Sequence, residues 1–239
     1  MGMNAIIFGA SGGIGGALCQ TVIASGQYTT VFAVSRTPVT IPGAVPLVYP
    51  QFDDESLADI AQTAAAQGPL TLCLSALGTL SDASQDLSPE RTLRAQSAAA
   101  FEAVFHINTV LPALIAKHMI PLMPRKERAV FAALSARVGS ISDNRLGGWH
   151  AYRASKAALN MLIKNYAIEQ TRRAPDFIAV GLHPGTVDTA LSSPFQKGVP
   201  EGKLFSPAQS AGYLLSVLGQ LTPDDTGKVF DWQGTEVPA

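Results

Sequence analysis

Apolar residues along this chain gather in short unbroken runs, and longer stretches of mixed pattern separate the runs. Seven runs predict strands: 5–9 (AIIFG), 30–35 (TVFAVS), 45–48, 70–76 (LTLCLSA), 128–134 (RAVFAAL), 177–183 (FIAVGLH) and 228–231 (KVFD). Between them lie helical patterns at 14–25, closed by Gly26, and at 56–66, introduced by acidic residues suited to a helix N-terminus. Two more helical segments fall in 89–123, the second restrained by Pro112 and ending near Pro121; others span 151–173 and 207–218. Strand and helix alternate, and most strands are continuous rather than alternating in polarity. That is the mark of a parallel sheet covered on both faces. The expected fold is α/β, a single Rossmann-like doubly wound parallel sheet with helices on both faces and a ligand crevice at the carboxyl ends of its strands. No internal repeat, low-complexity tract or linker marks a second domain, so residues 1–239 are read as one domain. The stretch 187–206 is too long and too broken by Pro and Gly for a simple turn, and is expected to form a substrate lid with a short helix.

Composition narrows the function classes. Of the 239 residues, 47% are hydrophobic and 15% charged, which excludes intrinsic disorder. Seventeen basic against eighteen acidic residues leave a net charge of −1, and no polybasic run offers itself to nucleic acid or an anionic membrane. Cys19 and Cys73 are too few for a disulfide framework and read as buried free thiols of a reducing compartment. The first residues lack the pattern of a signal peptide, and Glu102, His106, Asn108, Lys117 and His118 interrupt the apolar stretch 93–123. The expectation is a soluble, cytoplasmic protein.

Three groups of residues carry chemistry. Between the first strand and first helix stands Gly9-Ala10-Ser11-Gly12-Gly13-Ile14-Gly15. There Gly9 permits a tight turn, Gly13 lets the backbone approach a pyrophosphate, and Gly15 lets the helix pack closely on the sheet. The free N–H groups of the helix start favour an anion. Ser35-Arg36 ends the second strand, where an acidic residue would select NAD; the guanidinium of Arg36 suits the 2′-phosphate of NADP instead. Tyr152 and Lys156 share a helix face at i and i+4. An ammonium beside a phenol favours phenolate, so Lys156 is expected to lower the tyrosine pKa and ready Tyr152 for acid/base work on a carbonyl or hydroxyl oxygen.

Together these residues resemble the short-chain dehydrogenase/reductase family over nearly the whole chain. Asn108 in HINTVLPAL falls at the family's helix asparagine, Tyr152 and Lys156 match its YxxxK pair, and Pro184-Gly185 with Val187 and Thr189 (HPGTVDT) match the motif that borders the nicotinamide. The stretch from Ser135 to Asn160 and the ending FDWQGTEVPA resemble the branch of C-factor-like and sniffer-like carbonyl reductases. The resemblance implies hydride transfer between NAD(P)(H) and a carbonyl/alcohol pair. Tyr152 is then the acid/base, Lys156 its tuner and holder of the nicotinamide ribose, and Asn108 a positioner of Lys156 through water. It also implies a homodimer or homotetramer.

The chain departs from the family at three places. Asn-Asn-Ala-Gly after the fourth strand is replaced by Ser75-Ala76-Leu77-Gly78, of which Ser75 and Gly78 are read as cofactor contacts. The Asp that meets the adenine has no clear match; Pro50 falls near it and Asp53 a few residues on. At the family's catalytic serine stands Ala136, with Ser135 one residue early and Ser140 in the loop beyond; Ser135 is taken as the substitute, although strand alternation aims it at the other face. His106 and His183 are read as satisfied structural histidines, and His150 as a possible lining residue of the substrate cleft. No His/Cys/carboxylate set has metal spacing. Two rivals are a dinucleotide-binding sensor or signalling protein with little turnover, motivated by the altered serine, and an epimerase or dehydratase, for which the chain is short of a substrate domain.

Overall fold

The structure is a computed structural model and describes residues 2–82 and 87–239. Its centre is a sheet of seven parallel strands: β1 (Asn4–Phe8), β2 (Thr30–Ser35), β3 (Val45–Val48), β4 (Leu70–Ser75), β5 (Ala129–Leu134), β6 (Phe177–His183) and, last in the chain, β9 (Val229–Asp231). Their spatial order is β3-β2-β1-β4-β5-β6-β9. The order reverses between β1 and β4, and the crevice of a doubly wound sheet opens at such a reversal. Every residue of β1 and β4 is buried, as the unbroken apolar runs required.

Five major helices cover the two faces. Helices α1 (Gly13–Ala24) and α6 (Pro207–Gln220) pack on one face through Leu18, Val22, Leu214 and Val217, against Ile7, Val31 and Leu74 of the sheet. Helices α2 (Asp54–Ala66), α4 (Leu111–Met119) and α5 (His150–Gln170) cover the other face through Leu57, Ile115, Met119 and Leu159, against Phe8, Phe32 and Phe131. Asp53 caps α2, its carboxylate accepting from the Ser56 amide while Ser56 accepts from the Asp53 amide. Asp53 is therefore a helix cap, which accounts for its place after β3.

The first helical segment begins later than the pattern suggested. A short 3₁₀ turn, Leu93–Ala95, precedes α3 (Ala98–Phe105). Between α3 and α4 the backbone widens into a π turn, His106–Val110, in which the Leu111 amide bonds the His106 carbonyl. Pro112 has no N–H to return to the carbonyl of residue 108, so the ordinary ladder is interrupted here. The run Ala98–Leu122 is long and apolar enough to cross a membrane by length and composition, with a mean hydropathy of 1.5. Here it is tied into the domain: Ile115 and Met119 are fully buried in the core and Asn108 is bonded to α5. Residues 186–205 form strand β7 (Thr186–Val187), the 3₁₀ helix Ser193–Gly198 and strand β8 (Leu204–Phe205), with β7 and β8 paired in parallel.

Candidate active site

The carboxyl ends of β1, β4, β5 and β6 bring the sequence-selected residues to one cleft with two chambers. A groove of about 290 Å³ runs along Gly12, Gly13, Ile14 and Gly15, past Ala76-Leu77-Gly78, to Tyr152 and Lys156. Beside it a cavity of about 410 Å³ is walled by Leu80, Ala136, Val138, Trp149, His183 and Phe195, among others. Ile14, Tyr152, Pro184, Thr189 and Leu191 belong to both chambers.

The groove is shaped by absent side chains. Gly9 turns at φ +87°, and a Cβ on Gly15 would lie 2.1 Å from the Gly9 carbonyl oxygen. The chain therefore needs glycine at both positions. A Cβ on Gly13 would lie 2.8 Å from the Thr189 methyl, so β6's following loop closes directly over the turn. Helix α1 starts with Gly12 as N-cap, without a side-chain cap and without an acidic residue in its first turn. Its first amides thus face the groove with nothing of their own to neutralise them, which suits a pyrophosphate. Ser11 is exposed on the same turn, and a Cβ on Gly78 would lie 3.6 Å from Lys156 Nζ and 3.7 Å from Asn108 Oδ1.

The floor of the site is a network of buried polar groups. Asn108, fully buried in the π turn, donates to the Thr79 carbonyl (2.9 Å) and to Ser155 Oγ (3.0 Å), and accepts from the Thr79 amide (2.8 Å). Ser155 Oγ in turn donates to the Tyr152 carbonyl (2.8 Å), and Thr109 Oγ1 donates to the Ser155 carbonyl (2.9 Å). This fixes α5 against the loop after β4, so Ser155 positions Tyr152 and Lys156 although sequence reasoning passed over it. The signal was a small polar residue inside the YxxxK stretch. Lys156 Nζ donates to the Leu134 carbonyl (2.7 Å) and stands 5.8 Å from the centre of the Tyr152 ring.

The electrostatics differ from the sequence expectation. Burial pushes the Tyr152 phenol up to about 12, and burial pulls the Lys156 ammonium down to about 7. Desolvation outweighs the pairing because a lysine that titrates near 7 is only partly charged at neutral pH. Tyr152 is thus held protonated.

Several expected contacts move. Ser135 turns away from the cleft: its hydroxyl donates to Asn160 Oδ1 (2.6 Å) on α5, while Ala136 lines the substrate-side cavity. The alternation of strand side chains decides this, and Ser135 is corrected from catalytic candidate to buried structural residue. Ser140 is equally engaged, accepting from the Asp143 amide (3.0 Å) and donating to the Ala239 carbonyl (3.4 Å). Ser75 is buried with its hydroxyl unpartnered, and Ala76 to Gly78 line the groove in its place. Ser35 is buried too and donates to the Thr37 carbonyl (2.7 Å), whereas Arg36 is exposed beyond the end of β2. Gly185 and Val187 wall the second chamber rather than the groove. Trp149, not His150, lines that chamber.

His183 is not a satisfied histidine. It lines the second chamber, its Nδ1 is buried without a hydrogen-bond partner, and burial pulls its pKa down to about 4, with Asp231 opposing and Arg137 reinforcing the shift. Arg137, on the same wall, is paired with Asp143 (2.8 Å) and lies 4.0 Å from Asp231. Among the described residues no group of three or more His, Cys, Asp or Glu side chains is placed to hold a metal ion.

Comparison with known proteins agrees with this geometry. The family model for short chain dehydrogenase matches residues 3–199. The C-signal protein of Myxococcus xanthus is 37% identical over 134 residues, 56% of this chain and 75% of that protein. Other curated relatives are matched over little more than half of their own length, 54% and 58% for two of them. Among solved structures, an NADPH-bound carbonyl reductase from chicken fatty liver superposes with a TM-score of 0.83 at 23% identity, covering 99% of this chain and 98% of that one. The carbonyl reductase Sniffer of D. melanogaster gives a TM-score of 0.83 at 19% identity over 100% and 99%. At those identities the two structures speak for the fold, while the family model carries the glycine turn and the Tyr152/Lys156 helix in one match. The chain therefore belongs to the short-chain dehydrogenase/reductase family of enzymes.

Proposed function

We propose that the protein is an NADP-dependent reductase of carbonyl compounds, or the corresponding alcohol dehydrogenase, with Tyr152 as its general acid/base. The observation that carries this reading is the position of Tyr152 on the wall shared by the glycine-lined groove and the second chamber, with Lys156 directly behind it. The groove fits a dinucleotide: a Cβ would fill its tightest point, and the α1 amides face it uncapped. Gly12 to Gly15 would hold the pyrophosphate, Gly78, Pro184 and Thr189 would border the nicotinamide half, and Lys156 would hold the adjoining ribose. A bound nicotinamide supplies or takes up the hydride.

The remaining work belongs to the protein. A carbonyl substrate occupies the second chamber with its oxygen toward Tyr152. The phenol, protonated at neutral pH, gives its proton to that oxygen as negative charge develops there. In its protonated form Lys156 stabilises the phenolate left behind, and Asn108 holds the floor on which Lys156 rests. NADP over NAD is supported by the end of β2, which carries the exposed guanidinium of Arg36 and no acidic residue. The segment 187–206 acts as the lid, Phe195 reaching over to Trp149. The thiols of Cys19 and Cys73 are buried and free, in keeping with a cytoplasmic enzyme, and exposed Met161 and Ile168 on α5 suit a homo-oligomer.

Oxidation of NADPH against a panel of aldehydes and ketones tests the reading. Turnover of carbonyls supports it; tight NADPH binding with no turnover of any carbonyl overturns it in favour of a dinucleotide sensor. Calorimetry on NADPH and NADH tests the cofactor. A charge-assisted contact worth ~1.5–3 kcal/mol makes NADPH roughly ten- to a hundredfold tighter. Equal affinities, or an unchanged preference in Arg36→Ala, would remove Arg36 from the account.

A further inference from the structure

The N-terminus of the Tyr152 helix is built in an unusual way. Trp149, the residue that caps α5, lies in the left-handed region at φ +50°, ψ +46°, and is the single non-glycine residue at positive φ among the described residues. Gly147 and Gly148 before it are also left-handed, at φ +62° and +65°. A bulky residue adopts this conformation only where its surroundings hold it. The first turn of α5 has no acidic residue and its cap has no side-chain hydrogen bond.

A residue far earlier in the sequence supplies what is missing. Glu90, 4% exposed, accepts the Trp149 N–H on its backbone carbonyl (2.5 Å) and the Ala151 N–H on both carboxylate oxygens (3.3 Å each). Among the described residues no basic side chain pairs with this buried carboxylate, so the amide end of α5 is its partner. Arg153 completes the clamp, donating to the carbonyls of Gly147 (3.2 Å), Gly148 (3.0 Å) and Val138 (3.3 Å). The held indole walls the 410 Å³ chamber and packs against Tyr152 on one side (6.2 Å between ring centres) and Phe195 of the 193–198 helix on the other (5.2 Å).

We propose that Trp149 is the specificity-determining wall of the carbonyl chamber and that Glu90 is the positioning residue that holds it beside Tyr152. The inference rests on the carbonyl-reductase reading for its substrate class. That class is the uncharged carbonyl with one aromatic or comparably sized apolar group. Leu80, Val138, Leu191 and Phe195 complete an apolar wall, and the chamber's one cation, Arg137, is already committed to Asp143. A carboxylated substrate would be buried without a free counter-charge.

The test compares benzaldehyde with benzophenone as the small and the bulky probe, in wild type, Trp149→Ala, Glu90→Ala and Glu90→Gln. Removing the indole opens space, so Trp149→Ala raises the ratio of kcat/KM for benzophenone over benzaldehyde by about tenfold or more, the scale of a resized apolar pocket. Glu90→Ala moves the ratio the same way and leaves the affinity for NADPH unchanged. Glu90→Gln keeps an oxygen for the Ala151 amide and restores the wild-type ratio. A proportional loss on both probes, with the ratio fixed, would mean that Glu90 only stabilises the fold and would overturn the proposal. A second reading needs no turnover. With Trp232→Phe as background, Trp149 is the sole tryptophan. Adding Glu90→Ala then shifts its emission to the red and raises its quenching by acrylamide; unchanged emission would refute the positioning role. Should Glu90→Ala fail to fold, Glu90→Asp, one methylene shorter, carries both measurements. If wild type binds NADPH but reduces neither probe nor any other carbonyl, the proposed function fails, and the fluorescence result still decides the role of Glu90.

Discussion

Restoring a hydroxyl at position 136 should accelerate this enzyme. Ala136 lies extended at φ −152°, ψ +146°, is 7% exposed, and forms part of the chamber wall that Tyr152 also lines. Neither neighbouring serine reaches the chamber, since Ser135 is spent on Asn160 (2.6 Å) and Ser140 on the Asp143 amide (3.0 Å). On the proposed mechanism the substrate oxygen would receive its proton from Tyr152 without a serine hydroxyl from this strand end. Removal of one preorganised donor to a developing oxyanion costs about 3 kcal/mol, or ~10² in rate. A hydroxyl added without its own supporting contacts recovers roughly half of that, ~1.5 kcal/mol, so Ala136→Ser should raise kcat about tenfold. The assay is NADPH oxidation at saturating cofactor, on whichever carbonyl the panel identifies. Ser135→Ala and Ser140→Ala, run in parallel, should leave kcat within about twofold. Each should lower stability by ~1 kcal/mol through its lost hydrogen bond. If Ala136→Ser is no faster and Ser135→Ala drops kcat tenfold at unchanged NADPH affinity, the assignment of Ser135 to the structural side is wrong.

Two further outcomes follow from the groove and from His183. Gly15→Ala places a methyl 2.1 Å from backbone oxygen, so the turn must shift; calorimetry should find NADPH binding lost and thermal melting a lowered Tm, and wild-type affinity would refute the close-packing argument. The His183 pKa is pulled from 6.5 to about 4, so between these values the unfolded chain binds the proton that the folded chain refuses. Stability conferred by neutral His183 is therefore complete above pH 6.5 and falls as pH drops toward 4, by at most ~1.4 kcal/mol per pH unit. Urea melts of wild type and His183→Asn across that window should differ in slope, and identical slopes would show that His183 is solvated.

Most of the fold was legible because a parallel sheet covered on both faces needs unbroken apolar strands. The runs at 70–76 and 177–183 correspond to β4 and β6 within a residue. The glycine turn was legible for a similar reason: backbone crowding at Gly9 and Gly15 admits few other residues. Features set by tertiary contact were not. The π turn at Asn108 depends on Pro112 acting on a carbonyl four residues earlier, and the cap on α5 comes from Glu90, far away in sequence. The opposed pKa shifts of Tyr152 and Lys156 arise from burial, which the i, i+4 spacing does not report. Ser135 was a choice between proximity in sequence and strand alternation, and alternation prevailed. Trp149 took the place in the chamber considered for His150 because a left-handed cap rotates the indole inward while the helix begins one residue later.

The central claim is that Tyr152, on the wall between groove and chamber, moves the proton. Tyr152→Phe keeps the ring and its packing against Trp149 and removes only the hydroxyl. Measured together, NADPH affinity by calorimetry and carbonyl reduction by NADPH oxidation should separate. The account predicts affinity within about twofold of wild type and a kcat lower by ~10² or more. A Tyr152→Phe enzyme that reduces carbonyls at the wild-type rate would contradict it.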